Sequence, residues 1–168
     1  MKFEKINIRD VKESAVKLIS DDWALVTAGT ADGYNTMTVS WGGIGELWGK
    51  DTAFIFIRPQ RYTLPFIEQN DRFTLCFFGG AFKKELAFCG RTSGRDTDKA
   101  KETGLTPVFD GDVTYFAEAS LVLKCRKTAK YDLSPDGFLD PSVAENYKSG
   151  DYHRMFTAEI EETLLRTE

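Results

Sequence analysis

Trp23-Ala-Leu-Val-Thr-Ala-Gly-Thr-Ala-Asp-Gly-Tyr-Asn-Thr-Met-Thr-Val-Ser-Trp41 is the stretch whose reading decides the fold. Its first seven residues form an apolar run of strand length, ending at Gly29. Thr30-Ala-Asp-Gly33 is a cluster of turn-forming residues. From Tyr34 to Trp41 the pattern has period two. Thr36, Thr38 and Ser40 point one way, and Met37, Val39 and Trp41 point the other. A buried strand, a short turn and an alternating strand make a β-hairpin.

Strand and helix patterns mix on either side of this hairpin. Upstream, Val11 to Ser20 has helical spacing, with Val11, Ala15, Leu18 and Ile19 on one face. Downstream comes Gly42-Gly-Ile-Gly45, then an apolar strand from Thr52 to Arg58 that Pro59 stops. Thr63 can cap a short helix through Asn70, with Pro65 tolerated in its first turn. Arg72 to Phe78 is strand again, broken by Gly79-Gly80. Ala81 to Cys89 carries Phe82, Leu86 and Cys89 at helical spacing, and Asp96 to Glu102 is a second short helix before Gly104. Pro107 to Phe116, Ala117 to Lys127 and Met155 to Leu165 are strand-like in part, the last with a helical alternative at its Glu-rich end. A loop with Pro135, Gly137 and Pro141 separates the final two. Six or seven strands with short helices between them do not alternate one for one, so a doubly wound parallel sheet is disfavoured. The pattern predicts a mainly β fold, an antiparallel barrel with short helical insertions.

The 168 residues suit one domain, spanning 1–168. Charged residues are 29% and the net charge is −4, with no strong basic stripe, which argues against nucleic acid as a partner. A local cluster of Lys83, Lys84, Arg91, Arg95, Lys99 and Lys101 suits a small anion better, or is a solvated face. Three cysteines (Cys76, Cys89 and Cys125) without a C-x-x-C pair indicate neither a disulfide framework nor a zinc site. The single histidine leaves little for a metal, and none is expected. No apolar run reaches membrane-spanning length, and the first nine residues do not read as a signal peptide, so a cytoplasmic protein is expected.

Four segments could carry chemistry. The hydroxyl face of Asn35 to Trp41 could bond a planar heterocycle or a phosphate, or could be a polar solvent face. Arg58-Pro-Gln-Arg-Tyr-Thr63 places two guanidinium groups ahead of a helix, an arrangement suited to an anion or to surface ion pairs. Cys89-Gly-Arg-Thr-Ser-Gly-Arg-Asp96 offers glycines, hydroxyls and arginines, yet has neither P-loop spacing nor a dinucleotide fingerprint. Gly150-Asp-Tyr-His153 carries the only histidine, either structural or near a reacting centre. No nucleophile–histidine pair can be assembled, so hydrolysis is unsupported.

In this order, the segments resemble the flavin reductase-like, FMN-binding split-barrel family, and within it the flavoredoxin-type branch. The likeness rests on Trp23 to Gly29, Asn35 to Gly45, Phe56 to Thr63, Phe73 to Phe78, Cys89 to Lys99 and Gly150 to Met155. It implies an antiparallel Greek-key split β-barrel and a homodimer with FMN near the subunit interface. Asn35, Thr36, Met37 and Thr38 would line the flavin ring, and Ser40 and Trp41 would continue that wall. Arg58, Arg61, Tyr62 and Thr63 would form the phosphate and ribityl side. Cys89, Gly90, Ser93, Gly94 and Arg95 would close the site, with Lys99 near the phosphate and Phe78 close to the ring. Thr97 and Ala100 depart from the aliphatic and aromatic residues expected there. The implied activity is that of an NAD(P)H-dependent flavin reductase, or a relative, with FMN or FAD as the flavin and NADH or NADPH as donor. A flavin-bound electron carrier without enzyme activity is the alternative, and a flavin-free barrel with a structural role is the third.

Overall fold

The computed structural model describes residues 2–167, and the chain is built around two long strands near its end. Among the described residues ten strands form, in chain order: β1 (Phe3–Ile6), β2 (Ala24–Thr30), β3 (Gly33–Val39), β4 (Gly42–Leu47), β5 (Lys50–Ile57), β6 (Arg72–Phe77), β7 (Pro107–Asp110), β8 (Val113–Phe116), β9 (Leu121–Asp132) and β10 (Arg154–Arg166). Three short helices interrupt them: α1 (Thr63–Gln69), α2 (Lys83–Arg91) and α3 (Lys99–Thr103). One antiparallel sheet runs β3-β2-β6-β9-β10-β5-β4, and β1 extends the β10 edge beyond β5. Among the described residues no ladder joins β3 to β4, so the barrel stays split there. The mainly β, split-barrel expectation holds.

The β2–β3 hairpin forms as read, with Ala24 opposite Val39 and Thr30 opposite Gly33. Gly29 adopts φ 107°, and a Cβ there would run into the Gly33 carbonyl and the Tyr34 backbone, so the turn needs a glycine. Three local expectations are corrected. Gly42–Leu47, which the alternation does not announce, is a full strand paired with β5. The helix expected over Val11 to Ser20 is instead a π-helical turn, Lys17–Asp22, that buries Leu18 and Ile19. The Glu-rich end of β10 is strand, because its carboxylates pair across the sheet: Glu161 with Arg72 and Arg126, and Glu162 with Lys5 and Lys124. Register shifts at Thr157/Ala158 and Ile160/Glu162 bend β10, letting its first half pair with β5 and its second with β1.

Both faces of the central strands are covered. Val26, Met37, Val39, Phe73, Leu75, Phe77 and Phe156 fill the barrel interior. Leu25, Cys76 and Val122 point the other way, under Leu86 and Cys89 of α2 and Tyr115 and Phe116 of β8. The β7–β8 hairpin is tied down by Thr74 donating to the Thr114 carbonyl and Thr114 donating to the Gly29 carbonyl. Helix α2 therefore lies over β3, and this position shapes the site.

Candidate functional site

Two cavities meet at Arg61. The first, of about 180 Å3, is lined by the end of β3 (Met37, Thr38, Val39, Ser40 and Trp41) together with Phe56, Arg58, Arg61 and His153. The second, of about 170 Å3, is lined by Arg61, Tyr62, Thr63, Arg91, Ser93, Gly94, Arg95 and Lys99, with Asn35, Gln60 and Thr92. The first is flanked by aromatic and aliphatic side chains, and the second is cationic.

The cationic cavity is built from two segments that the fold brings together. Lys99 opens α3 after Asp98, whose carboxylate caps that helix by accepting from the Lys101 amide. It is 5% exposed, and its ammonium donates to the carbonyls of Thr36 and Cys89, both at 2.8 Å. The burial pushes its pKa down to about 8, and the Arg61 charge adds to the fall. Arg61 donates to the Gly90 carbonyl at 2.9 Å, and burial lowers its pKa as well. Neither cation, nor Arg95, has a carboxylate within ion-pair distance among the described residues. Buried cations without a counter-ion are costly unless an anion completes the site. The Arg95 guanidinium lies over the Tyr62 ring at 4.5 Å. Thr63 accepts from the Asn35 amide and Ser93 accepts from the Arg95 amide, so both hydroxyl protons remain to donate into the cavity. A Cβ on Gly94 would overlap the Asn35 amide, so this close approach also requires a glycine.

The structure redistributes several expected residues. Met37, Thr38, Ser40, Trp41 and His153 line the first cavity. Asn35, Arg61, Tyr62, Thr63, Ser93, Gly94, Arg95 and Lys99 line the second. Arg58, which the resemblance places on the phosphate side, lines the first cavity. There it pairs with Asp151 at 2.6 Å, donates to the Asn146 carbonyl and covers the Tyr147 ring at 5.1 Å. The Thr36 hydroxyl is spent on the Val26 carbonyl and on Thr27, and Thr38 donates to the Leu86 carbonyl of α2. Gly90 sits against Thr38, where a Cβ would lie 3.4 Å from the Thr38 Cβ. Cys89 and Phe78 line neither cavity. Both are buried in the cluster beneath α2, and the Phe78 ring lies 5.6 Å from that of Phe82. Residues missed from the sequence include Phe56, Gln60 and Arg91. Phe56 could have been found two residues before Arg58 on the same strand pattern, and Arg91 lay within the basic cluster. Among the described residues no group of side chains could hold a metal ion.

His153 closes the first cavity. It is 7% exposed, its Nδ1 lies 2.8 Å from the Tyr147 hydroxyl, and its ring sits 5.1 Å from that of Trp41. Burial, with the nearby Arg58 charge, pushes its pKa down to about 4. The unfolded chain therefore takes up this proton first as pH falls. The contribution is complete above pH 6.5 and is lost as pH drops toward 4, amounting to about 2 kcal/mol by pH 5. Between pH 7.5 and pH 5 no other side-chain type has its ordinary pKa. Urea unfolding at pH 7.5 and pH 5 should show this loss in the native chain and a much smaller one in His153→Asn. An equal loss in the variant would assign the effect elsewhere.

A split β-barrel with two neighbouring cavities that share Arg61, one of them cationic, defines the class of site. The chain belongs to the flavin reductase like domain family, whose model matches residues 17–168. It is similar in fold to the FMN-binding domain of a flavin reductases-like enzyme from Shewanella baltica OS155: TM-score 0.69, 18% identity, covering 99% of this chain and 78% of that one. It is likewise similar to the flavoredoxin of Desulfovibrio vulgaris (Miyazaki F), with TM-score 0.68, 20% identity and coverage of 99% and 78%. A third similar structure is a Streptomyces globisporus NADH:FAD oxidoreductase, with TM-score 0.65, 14% identity and coverage of 86% and 75%. At these identities the likeness establishes the fold. No curated protein matches the chain significantly. No helix among the described residues is long and apolar enough to cross a membrane.

Proposed function

We propose that this chain binds FMN across the two cavities and acts as an oxidoreductase, an NAD(P)H-dependent flavin reductase or a related flavoprotein reductase. One observation carries the reading: among the described residues the half-buried Arg61 and the buried Lys99 lack a carboxylate partner, and they share a cavity with Arg95, Ser93 and Thr63. That donor set fits a phosphate monoester, with a planar guanidinium, an ammonium and hydroxyl donors converging on one small volume. Arg61 also borders the neighbouring cavity, whose lining of Met37, Val39, Trp41 and Phe56 fits the body of a flat heterocycle.

FMN, when bound, supplies the hydride- and electron-accepting chemistry, and the protein supplies binding, orientation and electrostatics. Arg61, Arg95 and Lys99 would hold the phosphate. Main-chain groups of Met37 to Trp41 would face the ring edge, since the hydroxyls of Thr36 and Thr38 are already committed. Arg58 would stand on the ring side as a fixed positive charge, held by Asp151, whose carboxyl its Gln60 and Arg58 donors keep below the usual carboxylate range. Trp41 and Phe56 would limit water at the ring. No side-chain acid–base pair is required for hydride transfer.

The reading includes a homodimer, in which a second copy would cover Trp41, 46% exposed at the cavity mouth. It also includes a cytoplasmic location, supported by three buried free cysteines that suit a reducing compartment. The test is to mix the FMN-loaded protein anaerobically with NADH and, separately, with NADPH. Rapid bleaching of the flavin band with either supports a reductase. No bleaching with either removes that activity and leaves an electron carrier.

A further inference from the structure

We propose that Tyr147 is a positioning residue that fixes His153 as the Nε2–H tautomer, so that a neutral N–H donor faces the ring cavity. The ligand chemistry this donor recognises is a carbonyl or amide oxygen, or a ring heteroatom that gains negative charge on reduction. The ligand class rests on the proposed flavin site, whereas the tautomer rests on this chain alone.

The Tyr147 hydroxyl and His153 Nδ1 are 2.8 Å apart, and one proton lies between them. If Nδ1 carried that proton, the Tyr147 O–H would need a second acceptor. The described residues offer none, and Tyr147 is 6% exposed. A buried hydroxyl donor without an acceptor costs about 1–3 kcal/mol. If Tyr147 donates instead, only phenol lone pairs go unused, which costs little. The Arg58 guanidinium, 5.1 Å above the Tyr147 ring, pulls in the same direction, because a cation over the ring makes the phenol a better donor and a poorer acceptor. Tyr147 therefore donates to Nδ1, and the ring proton of neutral His153 sits on Nε2.

Nε2 has no hydrogen-bond partner among the described residues, and no buried side-chain nitrogen or oxygen there lacks one. Nε2 is therefore reached from outside, and His153 lines the ring cavity. The segment that carries Tyr147 is itself well anchored. Phe138 stacks on Tyr147 at 5.6 Å, Tyr152 packs against it at 5.0 Å, and Arg58 grips the Asn146 carbonyl and Asp151. Burial and the Arg58 charge keep His153 uncharged at neutral pH, so the tautomer decides what the cavity meets.

A single histidine makes the test clean. The purified chain, labelled with 15N-histidine and free of flavin, gives one imidazole pattern in long-range 1H–15N spectra at pH 7.5. The expected pattern is Nε2 protonated and Nδ1 bare. In Tyr147→Phe a second pattern, with Nδ1 protonated, should appear. An Nδ1–H pattern in the native chain, or an unchanged pattern in the variant, overturns the proposal. Should the variant fail to fold, the native spectrum decides alone. Adding FMN to the native chain should then shift the His153 ring signals. FMN binding without such a shift would overturn the assignment of Nε2 to the ring cavity, while the tautomer result and the binding itself would stand apart from it.

Discussion

Arg61→Ala is expected to weaken FMN binding by roughly 30- to 1,000-fold, as removing one member of a buried charge pair costs about 2–4 kcal/mol. Arg61 is the one residue that lines both cavities, so its loss removes a phosphate donor and a wall of the ring lobe together. Its charge also helps hold the pKa of Lys99 low, so the variant's lysine should titrate higher than the native one. Flavin fluorescence quenching measures the affinity. Riboflavin, which lacks the phosphate, should lose much less between native and variant chains. Equal losses for FMN and riboflavin would place the phosphate elsewhere. Arg58→Ala should act differently, since its guanidinium is already engaged with Asp151 and the Asn146 carbonyl on the ring side.

Phe156→Ala should cost about 3–5 kcal/mol of stability. Phe156 is 1% exposed on β10, the strand that pairs with β9 on one side and with β5 and β1 on the other. Its ring belongs to the barrel interior, where the cavity left by truncation has no easy way to collapse. In a domain of this size that cost lowers Tm by roughly 6–20 °C. Leu139→Ala, at a side chain 98% exposed, should leave stability within about 0.5 kcal/mol of the native value. Thermal denaturation of the two variants checks both. Similar Tm values for both would mean that the interior packing around β10 is wrong.

Much of the fold was legible because period two and turn residues are local signals. The β2–β3 hairpin, the stop at Pro59 and the presence of the short α1 follow from neighbouring residues alone, but Tyr62 and not Thr63 is the N-cap of α1, and the Thr63 hydroxyl accepts from Asn35 instead of capping the helix. Strand β4 was not legible, because three of its six residues are Gly42, Gly43 and Gly45, which leave little alternation to read. The end of β10 was ambiguous because Glu159, Glu161 and Glu162 find their partners on other strands, and those partners lie far away in sequence. The site divides the same way. Arg61, Arg95 and Lys99 stand within compact basic motifs, and the fold brings all three to one cavity. The alternation leaves the hydroxyls of Thr36 and Thr38 facing a ligand or solvent, whereas β2 engages Thr36 through Val26 and Thr27, and α2 engages Thr38 through the Leu86 carbonyl. Alternation reports that two faces differ, and only the tertiary fold says what covers each. The separation of Arg58 from Arg61 turns on Asp151 and Tyr147, some ninety residues downstream, which no local spacing reveals.

On the proposed function, Arg61 and Lys99, which have no carboxylate partner among the described residues, hold the phosphate of a flavin. The most direct measurement is a titration of the purified chain with FMN and with riboflavin under the same conditions, followed by flavin absorbance and fluorescence. The expected result is saturable binding of one FMN per chain, with riboflavin bound far more weakly. A chain that binds neither, or binds both equally, would contradict the claim.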